Sequence, residues 1–339
     1  MDISAETGTV SRLAAASLGE GGARLALAVL DIDPRVAGSG GETVSRAEAA
    51  MALNLCLFAG LLDAVPTARR YVEDVIVAGE RLVFDHGALR TIDGPTGALP
   101  SGRAAFARIL EPLGYEVAGE YPLPRLTMTG RAYVQADFPE IVPQFFVSEL
   151  HMDQLPAEAQ AAGERVFGTS RDPLGEAENA LLAAMARDGE APFTQCAAAL
   201  PGLVAAFGRQ HLDPALADYE ALLPHTAEGA WIATEGNAFN HATNRVADVE
   251  ALAADLKARG YPVKDAVEHS ANGQVHQTAF IADKVMRPFR DADGNAVTRE
   301  VPGSFFEFIT RDIDAASGGL DLTFDSGNAT GIFAVTRSA

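Results

Sequence analysis

Cysteine is scarce in this chain: Cys56 and Cys196 are the only two among 339 residues. No C-x-x-C pair occurs, which argues against a disulfide-framed domain and against a structural zinc knuckle. Two buried thiols in a reducing cytoplasm are expected instead. Basic residues are also few, with 26 Lys and Arg against 46 Asp and Glu and a formal net charge of −20. Such a surface repels phosphate backbones, so nucleic acid is not an expected partner. Uninterrupted apolar runs fall short of the roughly 18–20 residues of a membrane span, and the apolar stretch 49–62 reads as a buried helix. Residues 1–9 are acidic and polar and lack the basic-then-apolar order of a secretory signal. A cytoplasmic protein with no membrane partner is expected. Also missing are a G-x-S-x-G elbow, a cysteine placed as an activated nucleophile, and a phosphate loop. Gly19-Glu20-Gly21-Gly22 and Gly318-Gly319 lack the strand–turn–helix setting that such a loop needs. What is plentiful is apolar: 48% of residues are hydrophobic, enough for one large domain or two smaller ones. On so acidic a chain a small anionic ligand needs local positive charge, which directs attention to the arginines.

The hydrophobic period divides the chain into four segments. Residues 1–78 read as helical, over 10–30 and 45–62, with a loop at Gly38-Ser39-Gly40-Gly41 and a further helix opened by Pro66 and ending near Gly79. Residues 79–150 change to strands at 82–91, 115–121, 126–137 and 144–150, with a helix from an N-cap at Ser101 to residue 113. Residues 151–228 return to helix. Residues 229–339 repeat the strand pattern: a strand within 231–243, a helix over 248–260, strands near 263–269, 274–281, 296–299 and 304–310, and a hairpin at Asp293-Gly294. The tail carries turn signals at Ser326-Gly327-Asn328 and one more short strand. The expected class is α+β, with two β-α-β-β-β modules and added helices. Oligomeric state is not read from this pattern.

The modules share a short block. Phe84-Asp85-His86-Gly87-Ala88-Leu89-Arg90 and Phe239-Asn240-His241-Ala242-Thr243-Asn244-Arg245 both spell F-[DN]-H-x-x-x-R, in the first strand of each module. Facing copies would offer His86 and His241 to one metal ion. A single strand histidine is more often structural, and the repeat is what raises the pair. A third ligand has two candidates, Glu149 in Phe145-Phe146-Val147-Ser148-Glu149 and Glu307 in Phe305-Phe306-Glu307-Phe308. Glu307 shares a strand face with Phe305 and Ile309, either an inner face or a solvated edge. A buried ionised carboxylate needs compensation, which a cation supplies. Two imidazoles and a carboxylate suit Fe(II), and equally Mn²⁺, Co²⁺ or Zn²⁺.

Arg90 stands four residues after His86, an even offset that puts both side chains on one face of a strand. Its guanidinium suits a substrate carboxylate, and Arg90 is favoured over Arg245, which balances between that role and a surface ion pair. Gln277 and Thr278 lie mid-strand, where the Gln277 amide would orient a substrate oxygen or O₂, or make a cross-strand hydrogen bond.

Taken together with Val301-Pro302-Gly303-Ser304, these blocks resemble the 2-oxoadipate dioxygenase/decarboxylase family over about residues 65–335. The resemblance implies a vicinal-oxygen-chelate-like barrel of paired modules, with Fe(II) held by His86, His241 and Glu307 and the substrate's carboxylate bound by Arg90 as the catalytic arginine. The implied substrate site comprises His86, Arg90, His241, Gln277 and Glu307. The implied reaction turns 2-oxoadipate and O₂ into 2-hydroxyglutarate and CO₂, a step suited to lysine breakdown. One departure is Asn244, where proline is expected in many relatives. The competing readings are another metalloenzyme of the same scaffold (isomerase, lyase or extradiol-type dioxygenase) and a non-catalytic small-molecule binding protein.

Overall fold

The computed structural model describes residues 8–315 and 318–336, so the reading of residues 1–7 falls outside it. The chain opens with α1 (Thr9–Val29), kinked at Gly19, where φ is 72°. A short α2 (Pro34–Ala37) and strand β1 (Thr43–Ser45) lead into α3 (Arg46–Ala64) and α4 (Pro66–Val77). Ser45 and Glu48 form a capping box that starts α3. By length and composition α3 is able to cross a membrane, at 19 residues and a mean hydropathy of 1.4, which the run-length reading missed. In the fold it is a core helix, with 78% of its apolar window buried. Its Asn54 bonds the Tyr115 hydroxyl at 2.8 Å.

The first module consists of β2 (Val83–Asp93), α5 (Ala104–Leu110), β3 (Tyr115–Leu123), β4 (Met128–Gln135) and β5 (Gln144–His151). Then come α6 (Ala157–Phe167), α7 (Glu176–Asp188), β6 (Glu190–Pro192), α8 (Phe193–Ala206), α9 (Leu216–Leu222) and α10 (Ala227–Glu235). The second module is β7 (Phe239–Arg245), α11 (Val249–Ala258), β8 (Glu268–His269), β9 (Val275–Ala279) and β12 (Phe305–Arg311). A separate hairpin, β10 (Lys284–Arg290) with β11 (Ala296–Pro302), is inserted before β12. Helix α12 (Ser326–Phe333) and a 3-10 turn (Ala334–Thr336) are the last described elements.

Eight strands form one curled sheet in the order β3-β4-β5-β2-β7-β12-β9-β8. Within each module the first strand pairs parallel with the last, β2 with β5 and β7 with β12. The two first strands, carrying the repeated blocks, are antiparallel neighbours at the centre. The sheet is a half-barrel with edges at β3 and β8, and α12 packs against β3, β8 and β9 across the open side. Its convex face carries Phe84, Phe306 and Phe308 against Phe58 of α3 and Tyr71 of α4, with the Phe58 and Phe84 rings 5.2 Å apart. Alternation sends the intervening residues to the concave face.

Several sequence expectations shift. Trp231 lies in α10, not in a strand, and the strand within 231–243 begins at Phe239. Residues 263–269 contribute only an isolated Val263–Phe280 bridge and the two residues of β8. Residues 296–299 belong to the separate hairpin. Ser101 does not cap α5, because its hydroxyl bonds Gly94 on both sides of a turn, with the Gly94 N–H at 2.9 Å. The tail forms a helix where turn signals were read. Asp325 accepts from the N–H groups of Gly327 and Asn328, and the resulting cap runs on into α12.

Candidate metal centre and substrate cavity

The two central strands are bulged, and the bulges make the site. Against β7, β2 pairs Phe84 with Asn244 but His86 with Thr243, leaving Asp85 as an extra residue. The second shift pairs Ala88 with His241 but Leu89 with Phe239, leaving Asn240 as the extra residue on β7. The [DN] of each F-[DN]-H block is therefore a bulge residue, which breaks the two-residue alternation and turns the following histidine toward the concave face. The tight crossing also explains Gly87: a Cβ there would lie 1.6 Å from Cζ of Phe239.

His86, His241 and Glu307 converge, each offering a ligand atom, all within 4.8 Å of one another. Glu307 Oε2 stands 3.1 Å from His241 Nε2, and Oε1 stands 3.8 Å from His86 Nε2. All three are buried, Glu307 with 1% of its surface exposed. Glu307 is on the inner face of β12, which lies between β7 and β9 and is not an edge. The other candidate, Glu149, is elsewhere: it pairs with Arg131 at 3.2 Å and accepts from the Arg103 N–H at the start of α5. It groups with Asp93 and His151, but both His151 nitrogens are engaged, with Asp93 at 2.9 Å and Thr129 at 2.8 Å.

Each ligand has its support. Asp85 Oδ1 is 2.8 Å from His86 Nδ1, leaving Nε2 to face the site beside the Thr243 hydroxyl at 3.1 Å. The Arg311 guanidinium holds Asp85 through Nε at 3.0 Å and Nη2 at 3.0 Å, and donates to the carbonyls of Asp321 and Thr323. Arg245 also turns to Asp85, with Nη1 at 3.7 Å, so its place is beside the histidine's carboxylate partner and not on a substrate. Gln277 Nε2 donates to Glu307 Oε1 at 2.5 Å, so the cross-strand role is the one the geometry takes for this amide, although Gln277 lines the cavity too. Thr278 hydrogen bonds the Ala266 carbonyl at 3.4 Å, away from the cavity lining. Arg90, completely buried, shares the cavity wall with His86 as the even offset predicts, but is ion-paired with Glu228 at 2.6 Å.

The electrostatics follow from burial. It pushes Glu307 up to about 8, with the hydrogen bond from Gln277 working the other way. Burial drives His241 well below the ordinary imidazole value, with His86 and Arg90 adding to it. It depresses His86 as well, against the pull of Asp85. For Asp85 burial favours the neutral acid, but Arg311 and His86 outweigh it and hold the carboxyl below its usual range. Both imidazoles are thus neutral lone-pair donors, as metal ligands must be.

A cation fits this group. Ligands about 2.1 Å from one ion and at right angles stand about 3 Å apart, close to the His241–Glu307 spacing. Among the described residues neither ring nitrogen of His241 makes a hydrogen bond, although the ring is buried. Such an unsatisfied buried group is expected at an ion site. Asp85 and Arg311 were not foreseen in their supporting roles, whereas the cross-strand hydrogen bond was one of the two roles open to Gln277. Arg311 had a readable signal, since it follows Glu307 by four residues and so shares its strand face.

Paired βαβββ modules with a two-histidine, one-glutamate group on the shared concave face define a vicinal-oxygen-chelate protein. A glyoxalase-superfamily protein from Ralstonia eutropha is 51% identical, with a TM-score of 0.90 over 94% of this chain and 98% of that one. More narrowly, the chain belongs to the 2-oxoadipate dioxygenase/decarboxylase family, which matches residues 61–322. The fold is shared with hydroxyglutarate synthase in complex with 2-oxoadipate from Oryza sativa, at 19% identity and a TM-score of 0.67 over 91% of this chain and 96% of that one. The same enzyme from Pseudomonas putida, also in complex with 2-oxoadipate, is 19% identical, with a TM-score of 0.56 over 88% of this chain and 74% of that one. No curated protein sequence matches the chain.

Proposed function

We propose that this protein is an Fe(II)-dependent dioxygenase/decarboxylase that converts 2-oxoadipate and O₂ to 2-hydroxyglutarate and CO₂. The observation that carries the reading is the buried convergence of His86, His241 and Glu307 within 4.8 Å, in a family of 2-oxoadipate dioxygenase/decarboxylases. Two fold relatives, the rice and Pseudomonas hydroxyglutarate synthases, have structures with 2-oxoadipate bound.

When bound, a ferrous ion supplies the redox chemistry and a template for the oxo acid and O₂. His86, His241 and Glu307 would hold it on one face, leaving the opposite face to small ligands. Asp85, fixed by Arg311, keeps His86 in the tautomer that presents Nε2. Gln277 fixes the rotation of Glu307 by holding Oε1. Arg90, four residues along the strand from His86, stands about 13 Å from it Cα to Cα. Both side chains line one cavity, where Arg90 would meet the far carboxylate of the substrate. Phe146, Phe305, Phe324 and Phe333 line the cavity and exclude water from the reacting carbons.

The test is anaerobic loading of the purified protein with Fe(II), followed by oxygen-electrode assay with 2-oxoadipate. Consumption of one O₂ per 2-hydroxyglutarate and CO₂ formed is expected. Turnover of a substrate by a Zn²⁺ or Ni²⁺ form without O₂ would replace this reading with an isomerase or lyase.

A further inference from the structure

The cavity presents an unusual charge balance to a dicarboxylate. Among the described residues lining it, Arg90 is the one arginine or lysine. That guanidinium already has a fixed counter-ion: Nη1 stands 2.6 Å from Glu228 Oε2, and both side chains are buried. Nη2 donates to the Thr336 hydroxyl at 3.1 Å, and the guanidinium carbon lies 4.6 Å over the Trp231 ring and 4.5 Å over the Phe333 ring. Glu228 sits in the first turn of α10, where the helix N-terminus stabilises an anion. Glu228 stands behind Arg90 and not in the cavity lining, which includes Asp325 and the apolar Ala88, Phe146, Ile332 and Phe333.

A substrate's first carboxylate goes to the metal in the reading above, on which this inference rests. Its far end then meets a cation that is already neutralised, among apolar side chains. We infer that Glu228 is a specificity-determining residue acting through Arg90, and that by neutralising Arg90 it opens the site to 2-oxo acids whose far end is uncharged. A straight-chain six-carbon 2-oxo monocarboxylate, 2-oxohexanoate, is the matching substrate class. Its reaction balances as the dicarboxylate's does. The C1–C2 bond breaks and C1 leaves as CO₂. One oxygen atom of O₂ joins C2 in the new carboxylate, and the other enters the C3–H bond as the hydroxyl of 2-hydroxypentanoate. The substrate supplies all the electrons.

The experiment compares kcat/KM for 2-oxoadipate and 2-oxohexanoate in the iron-loaded wild type and in Glu228→Gln. The wild type should use both acids within about tenfold of each other. Glu228→Gln should raise the preference for the dicarboxylate by more than about tenfold, because a buried guanidinium that loses the Glu228 charge recruits the second carboxylate. The same variant, loaded with Mn²⁺ without O₂, should show a larger thermal shift with 2-oxoadipate than the wild type shows. Should Glu228→Gln not fold, the charge-keeping Glu228→Asp should hold the wild-type ratio within about threefold, and a rise in dicarboxylate preference there would overturn the inference. A wild type that prefers 2-oxoadipate beyond about a hundredfold, or a Glu228→Gln ratio that is unchanged or lower, overturns the inference while the proposed reaction stands. O₂ consumption with neither acid overturns both.

Discussion

Asp85 Oδ1 lies 2.8 Å from Nδ1 of His86, its own neighbour in sequence. Consecutive strand residues ordinarily point to opposite faces. Here the bulge at Asp85 brings both to the concave side, so a carboxylate–imidazole pair is made by two adjacent residues. Arg311, 226 positions on, then locks the carboxylate from below. Asp85→Asn keeps the volume but loses the charge that orients the ring and balances Arg311. Iron affinity should fall about 10–100-fold, measured by competition with a chelator. An unchanged affinity would show that His86 needs no partner to present Nε2.

The second block lacks this pair. Its bulge residue is Asn240, whose side-chain amide oxygen Oδ1 is buried without a hydrogen-bond partner among the described residues. That asymmetry marks how far the sequence could be read. The repeated frame singled out both histidines, because a recurring residue pattern is readable without coordinates. The inward face of Glu307 followed from its alternation with Phe305 and Ile309, once β12 was seen to lie inside the sheet. The bulges were not readable, since one extra residue in a ladder leaves no compositional mark at Asp85. Nor was Glu228, which comes from the helical segment between the modules and meets Arg90 only through long-range packing. Helix α12 was mistaken for a turn and strand because an Asp325 cap and an Asx turn share one local sequence.

Gly87→Ala tests the central crossing. The added methyl would meet the Phe239 ring at 1.6 Å, so the ring or the strand must move. Overpacking of this kind costs about 1–3 kcal/mol or more, and the displaced strand carries His86. A lowered melting temperature together with reduced metal content is expected. A wild-type melting curve would mean that Phe239 has an alternative rotamer available.

Glu149→Gln separates the two glutamates of the phenylalanine-flanked strands. Glu149 pairs with Arg131 and receives the Arg103 N–H, away from the triad. The variant should lose about 1–3 kcal/mol of stability, as expected for a partly buried charge-assisted pair, and should bind iron in full. Metal-free protein after iron loading would move the centre to the first module's acid.

Glu307→Gln makes the last test, on the protein without metal. Burial pushes the Glu307 carboxyl up to about 8 in the fold, against 4.5 for the ordinary group. Below pH 4.5 the acid is protonated whether the chain is folded or unfolded, and it adds no pH dependence. Between that pH and about 8 the unfolded chain ionises it while the fold keeps it neutral, so stability is lost as pH rises, by about 1.4 kcal/mol per unit. Glutamine carries the same shape without that penalty. Metal-free Glu307→Gln should therefore unfold at a higher denaturant concentration than the metal-free wild type at pH 7, with the gap closing toward pH 4.5. Added Fe(II) should reverse the order, because the wild type gains binding energy from a carboxylate that the variant lacks. Parallel stability curves for the two proteins from pH 5 to 8 would mean that Glu307 is already compensated by its protein neighbours, and the argument that its charge waits for a cation would fail.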